Sequence, residues 1–141
     1  MQSAESRVDI RFSLEYNVNM IPEKVLNAVT QKRARMFMEK EKRIEIRKEK
    51  AFREISRLIG RFQEIDPSLK RIVLFGSLAE NTLRCENFDI DLSFEGLEYY
   101  LCATETLNSP FKIDLVDYNV CASHIKDEID TKGIVVYGPR P

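Results

Sequence analysis

Three aspartates in the second half of the chain stand at spacings that could hold a metal ion. Asp89 and Asp91 are two residues apart in an apolar segment that also contains Ile90 and Leu92, and Asp114 lies in a later apolar segment. Alternate side chains of a β-strand project from the same face, so Asp89 and Asp91 are predicted to share one side. Carboxylates this close repel one another unless a cation lies between them, and hard divalent ions favour oxygen ligands. The pattern therefore predicts a metal site built by Asp89, Asp91 and Asp114.

A Gly-Ser pair precedes these aspartates at the end of another apolar run, residues 72–75. Glycine allows the backbone to approach a phosphate closely, and Ser77 would lie at a helix start, where free N–H groups favour anions. Taken alone, Gly76 and Ser77 are more typical of an ordinary strand-end turn. The ordered set of strand, Gly-Ser, paired aspartates and third aspartate is much more specific. It predicts a two-metal site in which one ion activates an attacking hydroxyl and the other holds a nucleoside triphosphate.

Short apolar segments alternate with helical patterns around these residues, and this alternation predicts a layered α/β domain. Gly133 is predicted to close the last helix and Ser123 to cap its start. The predicted strands are residues 70–75, 89–94, 111–117 and 134–137, and the predicted helices are residues 50–63, 77–83, 96–106 and 123–131.

The N-terminal region has a different pattern from the rest. Every even position from Val8 to Met20 is apolar, which predicts a strand with one buried face. Residues 22–49 are rich in helix formers but only patchily apolar, so we predict a helical arm there, with a possible break near 39–43. The predicted domains are residues 1–49, strand and arm, and residues 50–141, the domain that carries the aspartates. An unpaired strand of this length would promote aggregation, so homo-oligomer formation through the strand or the arm is expected.

Composition narrows the function classes. Hydrophobic residues make up 43% of the chain and charged residues 32%, which is typical of a globular domain. The expected setting is the cytoplasm, because no signal peptide or spanning segment of roughly 20 apolar residues is present. The three cysteines indicate neither a disulfide framework nor a zinc site, which agrees with a reducing compartment. Residues 31–50 hold nine Lys or Arg against four Glu. Nucleic acid is not an expected partner, because those glutamates dilute the positive field and the net charge of the chain is −1.

Residues 50–141 resemble the minimal nucleotidyltransferases (MNT) of the DNA polymerase β-like superfamily. The similarity lies in Gly76-Ser77, Asp89-Ile90-Asp91 and Asp114, and in the closing segment from Lys132 to Gly138. The resemblance implies an α+β nucleotidyltransferase fold, a small mixed β-sheet with helices packed on one face and the other face open for nucleotide. Here the N-terminal strand and long helix would be additions to that fold.

The same resemblance assigns roles to residues. Gly76 and Ser77 would contact the triphosphate of ATP, and Asp89, Asp91 and Asp114 would be the catalytic residues that ligate two Mg²⁺ ions. Many members of the family are antitoxins paired with a helical HEPN ribonuclease toxin. In that setting the enzyme transfers AMP from ATP to a tyrosine of the toxin, which silences it.

Two alternatives stay open at the level of sequence. One is a catalytically weak module of the same fold that neutralises a partner by stoichiometric contact, an alternative favoured by the unusual Glu80 and Phe88 beside the motifs. The other keeps the chemistry but transfers the nucleotide to a small-molecule hydroxyl or an RNA end, because the fold does not determine the acceptor.

Overall fold

A computed structural model describes residues 21–140 of the chain. The strand predicted over residues 8–20 lies outside the described residues. The elements, in chain order, are helix α1 (Glu23–Ile65), strand β1 (Arg71–Phe75), helix α2 (Gly76–Glu80), strand β2 (Ile90–Glu95), helix α3 (Tyr99–Thr106), strand β3 (Ile113–Asp117), helix α4 (Ser123–Lys132) and strand β4 (Ile134–Tyr137).

Helix α1 is one continuous element over 43 residues. The break considered near residues 39–43 is absent, and the helix passes through Gly60 to Ile65, because no proline interrupts this stretch and strong helix formers dominate it. The described residues fall into two compact units, residues 21–39 and residues 40–140. The division into domains 1–49 and 50–141 stays a prediction.

The four strands form one mixed sheet in the order β3, β2, β1, β4. Strand β1 is antiparallel to both of its neighbours, and β2 runs parallel to β3. The last strand begins and ends at the predicted residues, 134 and 137. A mixed sheet with accompanying helices confirms the predicted α+β fold class.

The main core lies on one side of the sheet. Side chains of α1 pack there against the even-numbered residues of β1 and β2, and α3 contributes Cys102. The ring of Phe62 contacts that of Phe94 edge to face, at 5.8 Å between centroids. The fully buried members of this core are Ala51, Leu58, Phe62, Ile72, Leu74, Ile90, Leu92, Phe94 and Cys102.

Helix α4 lies on the opposite side of the sheet, where Ile129 packs against Val73 and Phe75. The expectation that all helices pack on one face is therefore wrong for α4, whose apolar residues Ile125 and Ile129 are four apart and cover the odd-numbered side of β1. Ser123 is the first helical residue rather than a cap, and no side chain caps this helix. The odd-numbered face is thus covered by α4 near β1.

A buried carboxylate fixes the turn between α1 and β1. Asp66 is 1% exposed, and its Oδ2 accepts hydrogen bonds from the backbone N–H groups of Leu97 (2.7 Å) and Glu98 (3.0 Å). Its Oδ1 accepts another from the N–H of Ser68 at 2.9 Å. Helix α3 begins at Tyr99, three residues later than predicted, because the preceding residues form the turn that Asp66 holds.

No helix in residues 21–140 has both the length and the apolar character needed to cross a membrane.

Candidate active site on the sheet

Asp91 and Asp114 lie side by side on the side of the sheet opposite the main core. They are directly paired positions of the parallel strands β2 and β3. Ile90 and Leu92 are fully buried in the core on the other side, and this burial directs the Asp91 side chain to the opposite face. Asp91 is half-buried and Asp114 is exposed. The structure therefore brings together two of the three carboxylates that the sequence singles out.

Asp89 lies one residue before β2 and is exposed. Its Oδ2 is 3.5 Å from the Nζ of Lys112, a lysine that itself precedes β3 by one residue. Both members of this ion pair are open to solvent, and such pairs contribute little free energy. The Asp89 carboxylate can therefore leave Lys112 at small cost.

The electrostatic environment of Asp91 is unfavourable for its charged form. Burial, first of all, and then the negative charges of Asp114, Asp89 and Glu128 raise its pKa from 3.8 to about 6, while Lys112 acts in the opposite direction. Glu128 belongs to α4, and no motif in the sequence points to it, because only the packing of α4 on this face brings it near. A cation bound between these groups would relieve the repulsion.

Gly76 lies against Asp91. Its φ angle is +78°, in the region that glycine adopts most easily, and a Cβ built on it would collide with Oδ2 of Asp91. The contact follows from the sheet register, because Phe75 pairs with Asp91 across β1 and β2. Ser77 follows in the first turn of α2 and is half-buried. Gly76 and Ser77 thus stand next to the carboxylates, as the predicted order requires.

The carboxylates do not form a closed ligand set as they stand. Among residues 21–140, no three His, Cys, Asp or Glu side chains are arranged to hold a metal ion. Asp89 faces Lys112 at 3.5 Å, which accounts for its absence from such a set. The donors nevertheless suit a hard divalent ion, because they are all carboxylates and Asp91 lies in excess negative charge. The metal, catalytic and nucleotide-binding roles of these residues stay predictions.

Of the two unusual residues beside the motifs, Phe88 lies away from the carboxylate face. Phe88 packs against the main core, and its ring lies 6.3 Å from that of Phe111. Glu80 is the exposed last residue of α2. Phe88 therefore does not fill the space in front of Asp91.

A separate cavity of about 420 Å³ lies farther along the same face of the sheet. Its lining includes Arg71, Ser93, Tyr118 and Ile129, and none of the predicted site residues. Ser93 is two residues beyond Asp91 on the same strand, so this cavity adjoins the carboxylate region without being part of it.

Comparison with known proteins identifies a family whose sequence model includes the residues of this site. The sequence model of the family "Polymerase beta, Nucleotidyltransferase" matches residues 57–140, which include Gly76, Ser77 and the three aspartates. No curated protein sequence matches the chain significantly.

Solved structures share the fold. A crystal structure of a toxin–antitoxin with AMP-PNP has a TM-score of 0.50 and 23% identity, over 60% of this chain and 73% of that one. A candidate nucleotidyltransferase from Sulfolobus solfataricus has a TM-score of 0.52 and 12% identity, over 68% of this chain and 87% of that one. These identities are low, so the similarity shows the fold alone.

The family model covers more than half of the chain and confirms the superfamily predicted from the motifs. The chain belongs to the polymerase beta nucleotidyltransferase family.

Proposed function

We propose that this protein transfers AMP from ATP, with Mg²⁺, to a tyrosine hydroxyl of a HEPN-type toxin and thereby acts as its antitoxin. The observation that carries the proposal is the pairing of Asp91 with Asp114 beside Gly76, where burial and then neighbouring carboxylates raise the pKa of Asp91 to about 6. Excess negative charge at the edge of an open sheet face suits a cation and the phosphates that the cation would bring.

The residues of the site would have distinct roles in this reaction. Asp89, Asp91 and Asp114 would hold Mg²⁺, which when bound supplies positive charge to the phosphate oxygens and favours ionisation of the attacking hydroxyl. Gly76, which has no side chain, would let the triphosphate pass close to its backbone. In the reaction the acceptor oxygen forms a bond to the α-phosphorus, the bond from that phosphorus to pyrophosphate breaks, and the hydroxyl proton is released.

The choice of ATP and of a toxin partner has its own support. The toxin–antitoxin structure that shares this fold was crystallised with AMP-PNP, an analogue of ATP. Similarity at 23% identity does not transfer a substrate, so nucleotide and acceptor are part of the proposal. The cytoplasmic setting and assembly into a homo-oligomer through residues 1–49 are further parts of it.

A second function is favoured by one observation. Because Asp89 pairs with Lys112 and the described carboxylates form no closed metal set, the chain could neutralise its partner by binding alone. The two functions differ in what Asp91→Asn does when the protein is co-produced with a HEPN-type toxin.

If the protein is an enzyme, the Asp91→Asn variant should still copurify with the toxin but should no longer protect cell growth. Asp127→Asn is the matched control, because it makes the same change at an exposed position of α4. Protection that survives Asp91→Asn at unchanged protein levels would favour the binding module and reject the transfer reaction.

A further inference from the structure

Basic residues form a continuous stripe along one side of α1 within residues 40–65. They are separated by three or four positions, which places them above one another on a helix. This basic stripe consists of Arg43, Arg47, Lys50, Arg53, Arg57 and Arg61.

Two glutamates of the same segment lie on a different side of the helix. At 100° per residue, the positions of Glu41 and Glu45 are turned well away from the stripe. Three other glutamates lie beside or within it, each three or four positions from a stripe arginine: Glu49, Glu54 and Glu64.

The ends of the stripe are neutralised and its centre is not. Arg43 pairs with Glu86 at 3.1 Å and Arg57 pairs with Glu54 at 2.7 Å. Arg61 pairs with both Glu64 (2.6 Å) and Glu105 (3.2 Å). Within residues 21–140, Arg47, Lys50 and Arg53 have no ion-pair partner.

These central cations border a groove. Two adjoining cavities of about 330 and 470 Å³ share Arg47 and Lys50 in their linings. The guanidinium of Arg47 lies 3.8 Å from the ring centre of Phe111, and Ile46 and Pro110 add apolar surface. The groove thus combines unbalanced positive charge with an apolar wall.

The groove lies at the end of the sheet that carries the aspartates. Its lining includes Asn87, two residues before Asp89, and Phe111, three residues before Asp114. Lys112, which is 3.5 Å from Asp89, follows Phe111 directly. A chain bound in the groove would therefore reach the carboxylate region within a few residues.

We infer that this groove binds an acidic segment of the protein that presents the acceptor hydroxyl, next to the tyrosine that is modified. The inference rests on the proposed function, because it takes the acceptor to be a protein. Guanidinium groups bind carboxylates in a bidentate manner, and the apolar wall beside Arg47 suits side chains of a peptide.

The same features disfavour a nucleic acid as the occupant. Only three cations of the stripe are uncompensated, and Glu86 and Glu54 border the groove. The net charge of −1 also gives no long-range attraction for a polyanion.

The test measures binding of fluorescent probes by anisotropy. The probes are a short peptide with glutamates flanking a tyrosine, the same peptide with glutamines, and a single-stranded oligouridine. The variant is Lys50→Glu with Arg53→Glu, two exposed positions that leave the contact between Arg47 and Phe111 in place. The control is Lys32→Glu with Arg33→Glu, which makes the same charge change at exposed positions of α1 outside the stripe.

We expect the acidic peptide to bind at least about tenfold tighter than the glutamine peptide, since several charge pairs contribute. The variant should lose about tenfold or more of this affinity, and the control less than about twofold. Equal binding of both peptides, or equal losses in variant and control, would overturn the inference. Tighter binding of oligouridine that the variant abolishes would assign the groove to nucleic acid instead.

The same probes separate this inference from the proposed reaction. Asp91→Asn should bind the acidic peptide as the unchanged protein does, because Asp91 does not line the groove. Stripe-dependent peptide binding without any AMP transfer would reject the reaction and keep the groove. AMP transfer without such binding would support the reaction and reject the groove as the binding site.

Discussion

Two carboxylates of this protein, Asp66 and Asp91, are partly or fully removed from water but in opposite circumstances. Asp66 is almost fully buried and accepts three backbone hydrogen bonds, which tie the turn after α1 to the turn before α3. Asp91 is half-buried among other carboxylates, and its pKa is raised to about 6. The first carboxylate is satisfied and stabilises the fold, whereas the second is placed where its charge is unfavourable until a cation binds. The difference agrees with the proposed function, in which Asp66 stabilises the fold and Asp91 would hold a metal ion.

The largest effect on stability is expected at Asp66. Asp66→Ala should lower the free energy of unfolding by about 3 kcal/mol, because it leaves buried N–H groups of Leu97 and Glu98 without an acceptor. Urea denaturation measures the change. A loss below about 0.5 kcal/mol would show that the hydrogen bonds of Asp66 do not hold this turn.

The contact between Gly76 and Asp91 predicts the next effect. Gly76→Ala should lower the free energy of unfolding by about 2 kcal/mol, because the new Cβ collides with Asp91 at a φ of +78°. The control is Gly60→Ala, where a Cβ meets nothing within 4 Å. Gly60 lies inside α1, in its C-terminal part, so that change should raise stability by about 0.5–1 kcal/mol. Changes of the same sign in both variants would contradict the proposed steric role of Gly76.

Substitution of Asp91 should change the free energy of unfolding in the opposite direction to substitution of Asp66. Without metal at pH 7, Asp91→Asn is expected to stabilise the fold by about 1 kcal/mol, after allowing for solvent screening of the half-buried group. Thermal unfolding in EDTA measures it. If the variant were less stable than the unchanged protein, the repulsion around Asp91 would be refuted.

The pH dependence of this difference follows from the same pKa. The unfolded carboxyl ionises near pH 3.8 and the folded one near pH 6, so the folded state binds more protons between these values. Stability of the unchanged protein should therefore fall, relative to Asp91→Asn, as the pH rises from about 4 to 6. Added Mg²⁺ should reduce the difference at pH 7 and have little effect at pH 5. A difference that does not change with pH would show that Asp91 is not the titrating group.

The smallest effect is expected at Lys112. Its ion pair with Asp89 is exposed, so Lys112→Ala should change the free energy of unfolding by less than about 0.5 kcal/mol. Freed of this partner, Asp89 should be more available to a cation, so the apparent Mg²⁺ affinity should rise. Reduced Mg²⁺ affinity in this variant would show that Lys112 supports the site rather than competing for Asp89.

Local patterns were sufficient to predict most of the fold. Alternating burial places Ile90, Leu92 and Phe94 in the core and Asp91 on the other face, and strand alternation in the sequence indicates this directly. The bounds of β4 and the order of the elements were also predictable. The membership of the family was indicated by Gly76-Ser77 and the three aspartates together.

Other features depend on distant contacts that no local pattern encodes. The capture of Leu97 and Glu98 by Asp66 shortens α3 at its start. The docking of α4 on the aspartate side brings Glu128 towards Asp91. Phe88 turned out to be a packing residue, because its ring lies near that of Phe111, which belongs to the segment before β3. The basic stripe of α1 was present in the spacing of its Lys and Arg residues but does not appear in the net charge.

The most direct test of the account is transfer of label from ATP that is radiolabelled on its α-phosphate, with Mg²⁺, to a HEPN-type toxin partner. The account predicts label on the partner with the unchanged protein and with Asp127→Asn, and a loss of at least about a hundredfold with Asp91→Asn or Asp114→Asn. Label that persists in both aspartate variants, or no label from any of the four nucleotides with the partner bound, would contradict it.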